Sequence, residues 1–169
     1  MKSPIRPPRP GKPPRLATIY LPSPIFYVTF VARGRAPILA NHPIHNAFLA
    51  YAERGLDLGF TVGRYVIMPD HVHLFVALGA ELTLGRSIGG LKRILGGALP
   101  EQSRRASAST SPWQPGFFDH VLRSAESYAA KWKYVRHNPV RAGLVERPAD
   151  WPFAGEVAVL EPDDTMRRS

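Results

Sequence analysis

Two hydrophobic rhythms alternate along the chain from about Leu16 onward. Phe26-Tyr-Val-Thr-Phe-Val31 is a β-branched and aromatic run that predicts a first strand. Gly34-Arg-Ala-Pro37 turns the chain, and Pro43 stands where a helix can begin. Ile44, Phe48, Leu49 and Ala52 then recur at helical spacing, and Gly55 closes that helix. A second strand is predicted over about Phe60 to Met68. After a tight turn at Pro69-Asp70, a third strand from His71 to Leu78 returns beside it, antiparallel. Helical spacing resumes from about Leu82 to Leu99, with Leu84, Ile88, Leu91 and Leu95 on one face. Gly89, Gly90, Gly96 and Gly97 each weaken it by up to ~1 kcal/mol relative to Ala, so packing must hold it. Residues 101–112 are polar and rich in Ser and Ala, which predicts a mobile loop, and Trp113 to Leu122 reads as a short strand. Ser124 suits an N-cap, and a last helix should run to about His137 before Asn138-Pro139 stops it. No internal repeat or second domain emerges.

The third strand carries the first candidate chemistry. Side chains alternate across a strand, so His71 and His73 share one face while Val72 and Leu74 take the other. Imidazoles set among Phe75, Val76 and Leu78 are costly without partners. Two neutral imidazoles on a rigid strand can hold a divalent metal; a satisfied pair at a solvent edge is the alternative. On a sheet face, outside the packing centre, both are expected to tolerate alanine without loss of the fold.

Composition narrows the classes. The chain's 169 residues and 44% hydrophobic content suit one domain with a normal core. With no cysteine, disulfides, thiolate metal sites and Cys nucleophiles are excluded, which suits a reducing cytosol. No apolar run reaches the ~20 residues of a membrane span, and no apolar core follows the basic N-terminus, so no secretory signal is expected. The net charge of +9 points to a polyanionic partner. Lys2, Arg6, Arg9, Lys12 and Arg15 supply five positive charges in residues 1–15, with six prolines and no acid. That segment reads as a polyproline-like arm, either a tether for phosphates or a solubilising tail. Arg86, Lys92 and Arg93, on the glycine-rich helix, are further candidates for phosphate contact, with a solvated face as the alternative. The organisation expected is an arm over 1–15, a domain over 16–155 and a tail over 156–169.

The last helix carries the second candidate. Ala130, Tyr134 and Asn138 follow i, i+4 spacing, whereas Tyr128, six residues before Tyr134, points elsewhere. Tyr134 therefore shares a stripe with an amide oxygen, a hard ligand suited to Mg²⁺ or Mn²⁺. A helical tyrosine alone would read as core.

Four motifs, in order, give the chain a resemblance. They are Tyr65-x-x-Met-Pro-Asp-His-Val-His73, Trp113-Gln-Pro-Gly-Phe-Phe-Asp-His120, Tyr134-Val-Arg-His-Asn-Pro-Val-Arg-Ala-Gly-Leu-Val145 and Asp150-Trp-Pro-Phe153. From about Pro24 to Gly155 the chain resembles REP-associated tyrosine transposases, single-tyrosine HUH endonucleases of the insertion-sequence transposase family. The resemblance implies an α+β, ferredoxin-like or RRM-like antiparallel sheet with helices packed on it. It also implies strand-specific cutting of single-stranded DNA at hairpins or palindromic repeats, in a bacterial, cytoplasmic, nucleoid-associated protein acting as a monomer or homodimer. His71 and His73 match the paired metal ligands and Tyr134 the nucleophile; Asn138, one turn later, is chosen as third ligand by spacing.

The implied chemistry suits these residue types. A tyrosine hydroxyl ordinarily ionises near pH ~10, so attack at neutral pH needs assistance. A cation, Mg²⁺ or Mn²⁺, held by the two histidines and a helix oxygen would neutralise charge in an in-line displacement. Tyr134 would then expel a 3′-hydroxyl and keep the 5′ end as a phosphotyrosine, reversible by a later 3′-hydroxyl. Asp70 is either an acceptor that orients an imidazole or a turn aspartate, and Asp119 and His120 are given no role. Two alternatives stand beside this one: a non-catalytic single-stranded nucleic-acid-binding protein, and a replication or conjugation nickase with the same chemistry.

Overall fold

The structure, a computed structural model, describes residues 18–19, 24–107 and 109–162. The arm residues Lys2, Arg6, Arg9, Lys12 and Arg15 lie outside the described residues. Its centre is a βαββαβ unit: β2 (Ile25–Val31), α1 (His42–Glu53), β3 (Phe60–Ile67), β4 (His71–Leu78), α3 (Leu84–Ala98) and β5 (Phe118–Leu122). A short α2 (Gly55–Leu58) links α1 to β3, and α4 (Glu101–Ala106) follows α3. After β5 come α5 (Ala125–Arg136), α6 (Asn138–Arg141) and β6 (Ala154–Glu156). The strands form one five-stranded antiparallel sheet in the order β5-β2-β4-β3-β6. The first four keep the 4-1-3-2 order of a ferredoxin-like sheet, and β6 adds an edge. β1 (Thr18–Ile19) pairs in parallel with β7 (Val159–Leu160) in a separate two-stranded sheet.

Both faces of the sheet are covered, which is why β3 and β4 read as nearly continuous apolar runs. One face packs on α1 and α3, burying Phe30, Phe48, Val72, Leu74, Val76, Ile88, Leu91 and Leu95. The other carries Tyr27, Val66, Phe75 and Ala77 beneath α5, together with Leu160 of β7. Local signals set the helix ends: the Asn41 side chain accepts from Ile44 N, and Ser124 and Ser127 close a reciprocal cap on α5.

Two expectations are corrected. Residues 101–112 are not all loop, because Glu101–Ala106 forms a helix carrying an i, i+4 ion pair between Glu101 and Arg105. The segment Trp113–Leu122 is strand only from Phe118; Trp113 makes an isolated bridge to Ala32 while its ring packs edge-on against Phe30, 5.3 Å between centroids.

The bulge in β3 between Val62 and Tyr65 positions α5. It places the Arg64 guanidinium over the rings of Tyr128 (5.3 Å) and Trp132 (5.5 Å), while Arg64 Nε donates to Glu156 Oε1 at 3.0 Å. Gly63 fits here because a Cβ would lie 2.7 Å from the Leu160 side chain.

Candidate active site under helix α5

β4 lies at the middle of the sheet, so its outward histidines are framed on both sides. His71 and His73 stand opposite Val31 and Thr29 of β2, and His73 opposite Val66 of β3. The two Nε2 atoms face each other 3.0 Å apart. Each outer nitrogen is engaged. His71 Nδ1 lies 2.6 Å from Asp70 Oδ1, and His73 Nδ1 lies 2.8 Å from both the Tyr27 hydroxyl and Thr29 Oγ1. In this structure the 3.0 Å contact requires one Nε2–H to donate to the other Nε2; a proton moved to each Nδ1 would free both Nε2 lone pairs for a shared cation.

Electrostatics support this arrangement. His73 is 8% exposed, and its pKa is depressed to about 3, first by burial and then by the charges of His71, Arg141 and Lys131, against a raising effect of Asp70. Partial burial would raise the Asp70 carboxyl, but bonds and charges from His71 and Arg35 outweigh it and hold it below the usual carboxylate range. Asp70 is thereby fixed between Arg35 Nη1, at 3.1 Å, and His71. The orienting role for Asp70 is the one its geometry favours. The expectation that both histidines lie outside the packing centre fails for His73, which is buried and stacked on Tyr27 with 5.7 Å between ring centroids, while His71 stays partly exposed.

α5 lies over this face. Tyr128 and Trp132 pack edge-on against Phe75, and Lys131 Nζ sits 5.0 Å above the Tyr27 ring. Tyr128 is buried and turned into the core, as the spacing predicts, whereas Tyr134 is 61% exposed. The Tyr27 hydroxyl is held above its ordinary pKa mainly by burial, with the Thr29 bond opposing and Tyr134 adding to the rise.

Arg141 is the site residue that sequence reasoning missed. Its guanidinium stacks on the Tyr134 ring at 4.0 Å, donates to the Tyr134 carbonyl at 2.9 Å and donates to Asn138 Oδ1. Its place three residues after Asn138 and seven after Tyr134, on a helical path, was the available signal. Asn138 is thus engaged by Arg141 at the start of α6. Among the described residues no group of three His, Cys, Asp or Glu side chains is arranged to hold a metal.

The remaining candidates lie elsewhere. Arg86, Lys92 and Arg93 belong to α3, on the opposite face of the sheet from the histidines. Arg86 and Arg93 are exposed. Lys92 is committed: Nζ donates to Gln114 O (3.0 Å) and Gly116 O (2.8 Å), and burial lowers its pKa. A cleft of about 520 Å³ on that side is lined by Lys92, Arg93, Arg104, Ser107 and Trp113, among others.

Residues 25–138 match the family model described as "Transposase IS200 like", more than half of the chain. The chain belongs to this family. It is accordingly an enzyme, a tyrosine transposase that cleaves and transfers DNA strands. A Haemophilus influenzae protein provisionally named a REP-associated tyrosine transposase is 26% identical over 137 residues, covering 77% of this chain and 78% of that protein. The REP-associated tyrosine transposase of Escherichia coli is 28% identical over 100 residues, covering 58% and 55% of the two chains. A solved structure of a REP-associated tyrosine transposase bound to a REP hairpin superposes with a TM-score of 0.62 at 23% identity, covering 80% of this chain and 78% of that one. Such a likeness shows the fold. No helix among the described residues is long and apolar enough to cross a membrane.

Proposed function

We propose that this transposase cuts and rejoins single-stranded DNA beside hairpin-forming repeats through a covalent bond to Tyr134. The observation that carries the reading is the convergence of His71 and His73 Nε2, 3.0 Å apart, with both outer nitrogens already held. Such a pair fits a divalent cation: burial keeps His73 neutral, and Asp70 fixes the ring of His71. His71, His73 and Asn138 would hold the ion, Asn138 after exchanging Arg141 for it. When bound, Mg²⁺ or Mn²⁺ supplies positive charge to the non-bridging oxygens of the scissile phosphate.

The protein groups do the rest. The Tyr134 hydroxyl gives up its proton to solvent as its oxygen bonds to phosphorus, the bond from phosphorus to the 3′-oxygen breaks, and that oxygen takes a proton from solvent and leaves as the 3′-hydroxyl. The 5′ end stays on the enzyme as a phosphotyrosine, and a second 3′-hydroxyl can reverse the step and join strands. Arg141, stacked on the nucleophile's ring, brings a fixed cation to the place where phosphate charge gathers. A hairpin as target rests on the relative solved with a REP hairpin.

The test is nicking of a single-stranded hairpin oligonucleotide. Chelation with EDTA should stop it, added Mn²⁺ or Mg²⁺ should restore it, and His71→Ala should abolish it without loss of DNA binding. Full cleavage by His71→Ala, or in EDTA, would remove the metal from the reading.

A further inference from the structure

An exposed aromatic stands on the same face as the histidine pair and takes no part in the chemistry described so far. Phe118 opens the edge strand β5 and is 61% exposed. Register places Phe118 opposite Thr29, and Thr29 opposite His73, so the three form one row across neighbouring strands. Thr29 reaches His73 directly, which fixes the row on the histidine face. Phe117, one residue earlier, packs into the core of the opposite face, as strand alternation requires. With strands ~4.8 Å apart, Phe118 sits roughly 10 Å from His73 along the row, a separation that a flanking nucleotide can span.

The ring is braced. It meets Tyr27 edge-to-face with centroids 6.4 Å apart, and Tyr27 is itself fixed by its bond to His73. One edge is therefore held while the rest faces solvent. A cation flanks the path between ring and histidines, Lys131 Nζ standing 5.0 Å over the Tyr27 ring. A braced aromatic beside a cation is the arrangement that holds single-stranded nucleic acid, with the base on the ring and the backbone on the charge.

We propose that Phe118 is a stacking platform for the unpaired base next to the scissile phosphate, and so a residue that positions the strand for Tyr134. The proposal rests on the cleavage reading for its choice of strand, but the stacking itself does not require cleavage. No group within the ring reacts; Phe118 acts by fixing the neighbouring nucleotide.

The experiment measures equilibrium binding, in EDTA, of a DNA hairpin oligonucleotide with unpaired flanks, intact or with one abasic position moved through the flanks. Phe118→Ala should bind the intact oligonucleotide about fivefold to a hundredfold more weakly, the worth of one stacked base, and Phe118→Trp should retain affinity. One abasic position should cost the wild type a similar factor and cost Phe118→Ala nothing further. Phe118→Ala should keep the wild-type melting temperature, since the ring is exposed. Equal binding by wild type and Phe118→Ala overturns the proposal, as does an abasic penalty unchanged in Phe118→Ala. A changed oligomeric state in Phe118→Ala with unchanged base dependence also overturns it and makes the ring a subunit contact. If cleavage fails on every substrate while the abasic penalty still requires Phe118, the platform stands and the Tyr134 reading falls.

Discussion

Burial makes His73 a lone-pair donor at every pH at which the protein is expected to work. A group whose proton is lost on folding gives stability that is present above its unfolded pKa, near ~6.5, and fades as pH falls toward its folded value. With the folded pKa of His73 at about 3, that loss should run between roughly pH 6.5 and 3. His45, also lowered by burial, adds a slope of the same sign, so the contrast between proteins is what counts. Denaturant unfolding in EDTA should show the wild type losing stability toward acid more steeply than His73→Gln. Equal slopes would mean that His73 is hydrated in solution. That His71 and His73 share a face was legible, because strand alternation guarantees it. Their partners were not, since Tyr27 and Thr29 lie 46 and 44 residues away and only the β2–β4 register brings them there. For the same reason, burial of His73 could not be foreseen from one strand.

At the scale of elements, the long periodic segments were legible and the short ones were not. β2, β3, β4, α1, α3 and α5 each fall within a few residues of the expected bounds, since repeated apolar positions and a capping residue mark them. α4 and the strands β6 and β7 are too short to carry a period, and their pairing partners are distant in sequence. Lys92 shows how an element's context reassigns a residue. Sequence spacing offers it to phosphate, but its ammonium holds the Gln114–Gly116 backbone while Trp113 Nε1 donates to the Lys92 carbonyl at 2.8 Å. This two-way latch ties α3 to the loop that leads into β5. Lys92→Met should lower stability by about 1–2 kcal/mol, read by chemical denaturation, because two acceptors lose a charged donor that is itself only partly buried. Unchanged stability with weaker, less salt-dependent DNA binding would restore the phosphate role.

At the scale of the whole molecule, the sheet separates two tasks. α1 and α3 bury the main core on one face, and the other face presents His71, His73, Tyr27 and Phe118 beneath and beside α5. The fold class and the family were legible because four separated motifs occur in order, each too weak alone. The basic arm over residues 1–15 lies outside the described residues. If its five cations meet phosphates, deleting it should reduce the slope of log affinity for single-stranded DNA against log salt by up to ~3.5. An unchanged slope would leave it a solubility tail. The covalent step is tested most directly by mixing the protein with a single-stranded hairpin substrate and Mn²⁺ or Mg²⁺ and looking for a denaturation-resistant protein–DNA adduct. The wild type should form it, and peptide mapping should place the 5′-phosphate on Tyr134. Tyr134→Phe should fold, bind DNA and form none, whereas Tyr128→Phe, altered on the buried side of the same helix, should still form it. An adduct that survives in Tyr134→Phe, or that maps to another residue, would contradict the assignment of the nucleophile.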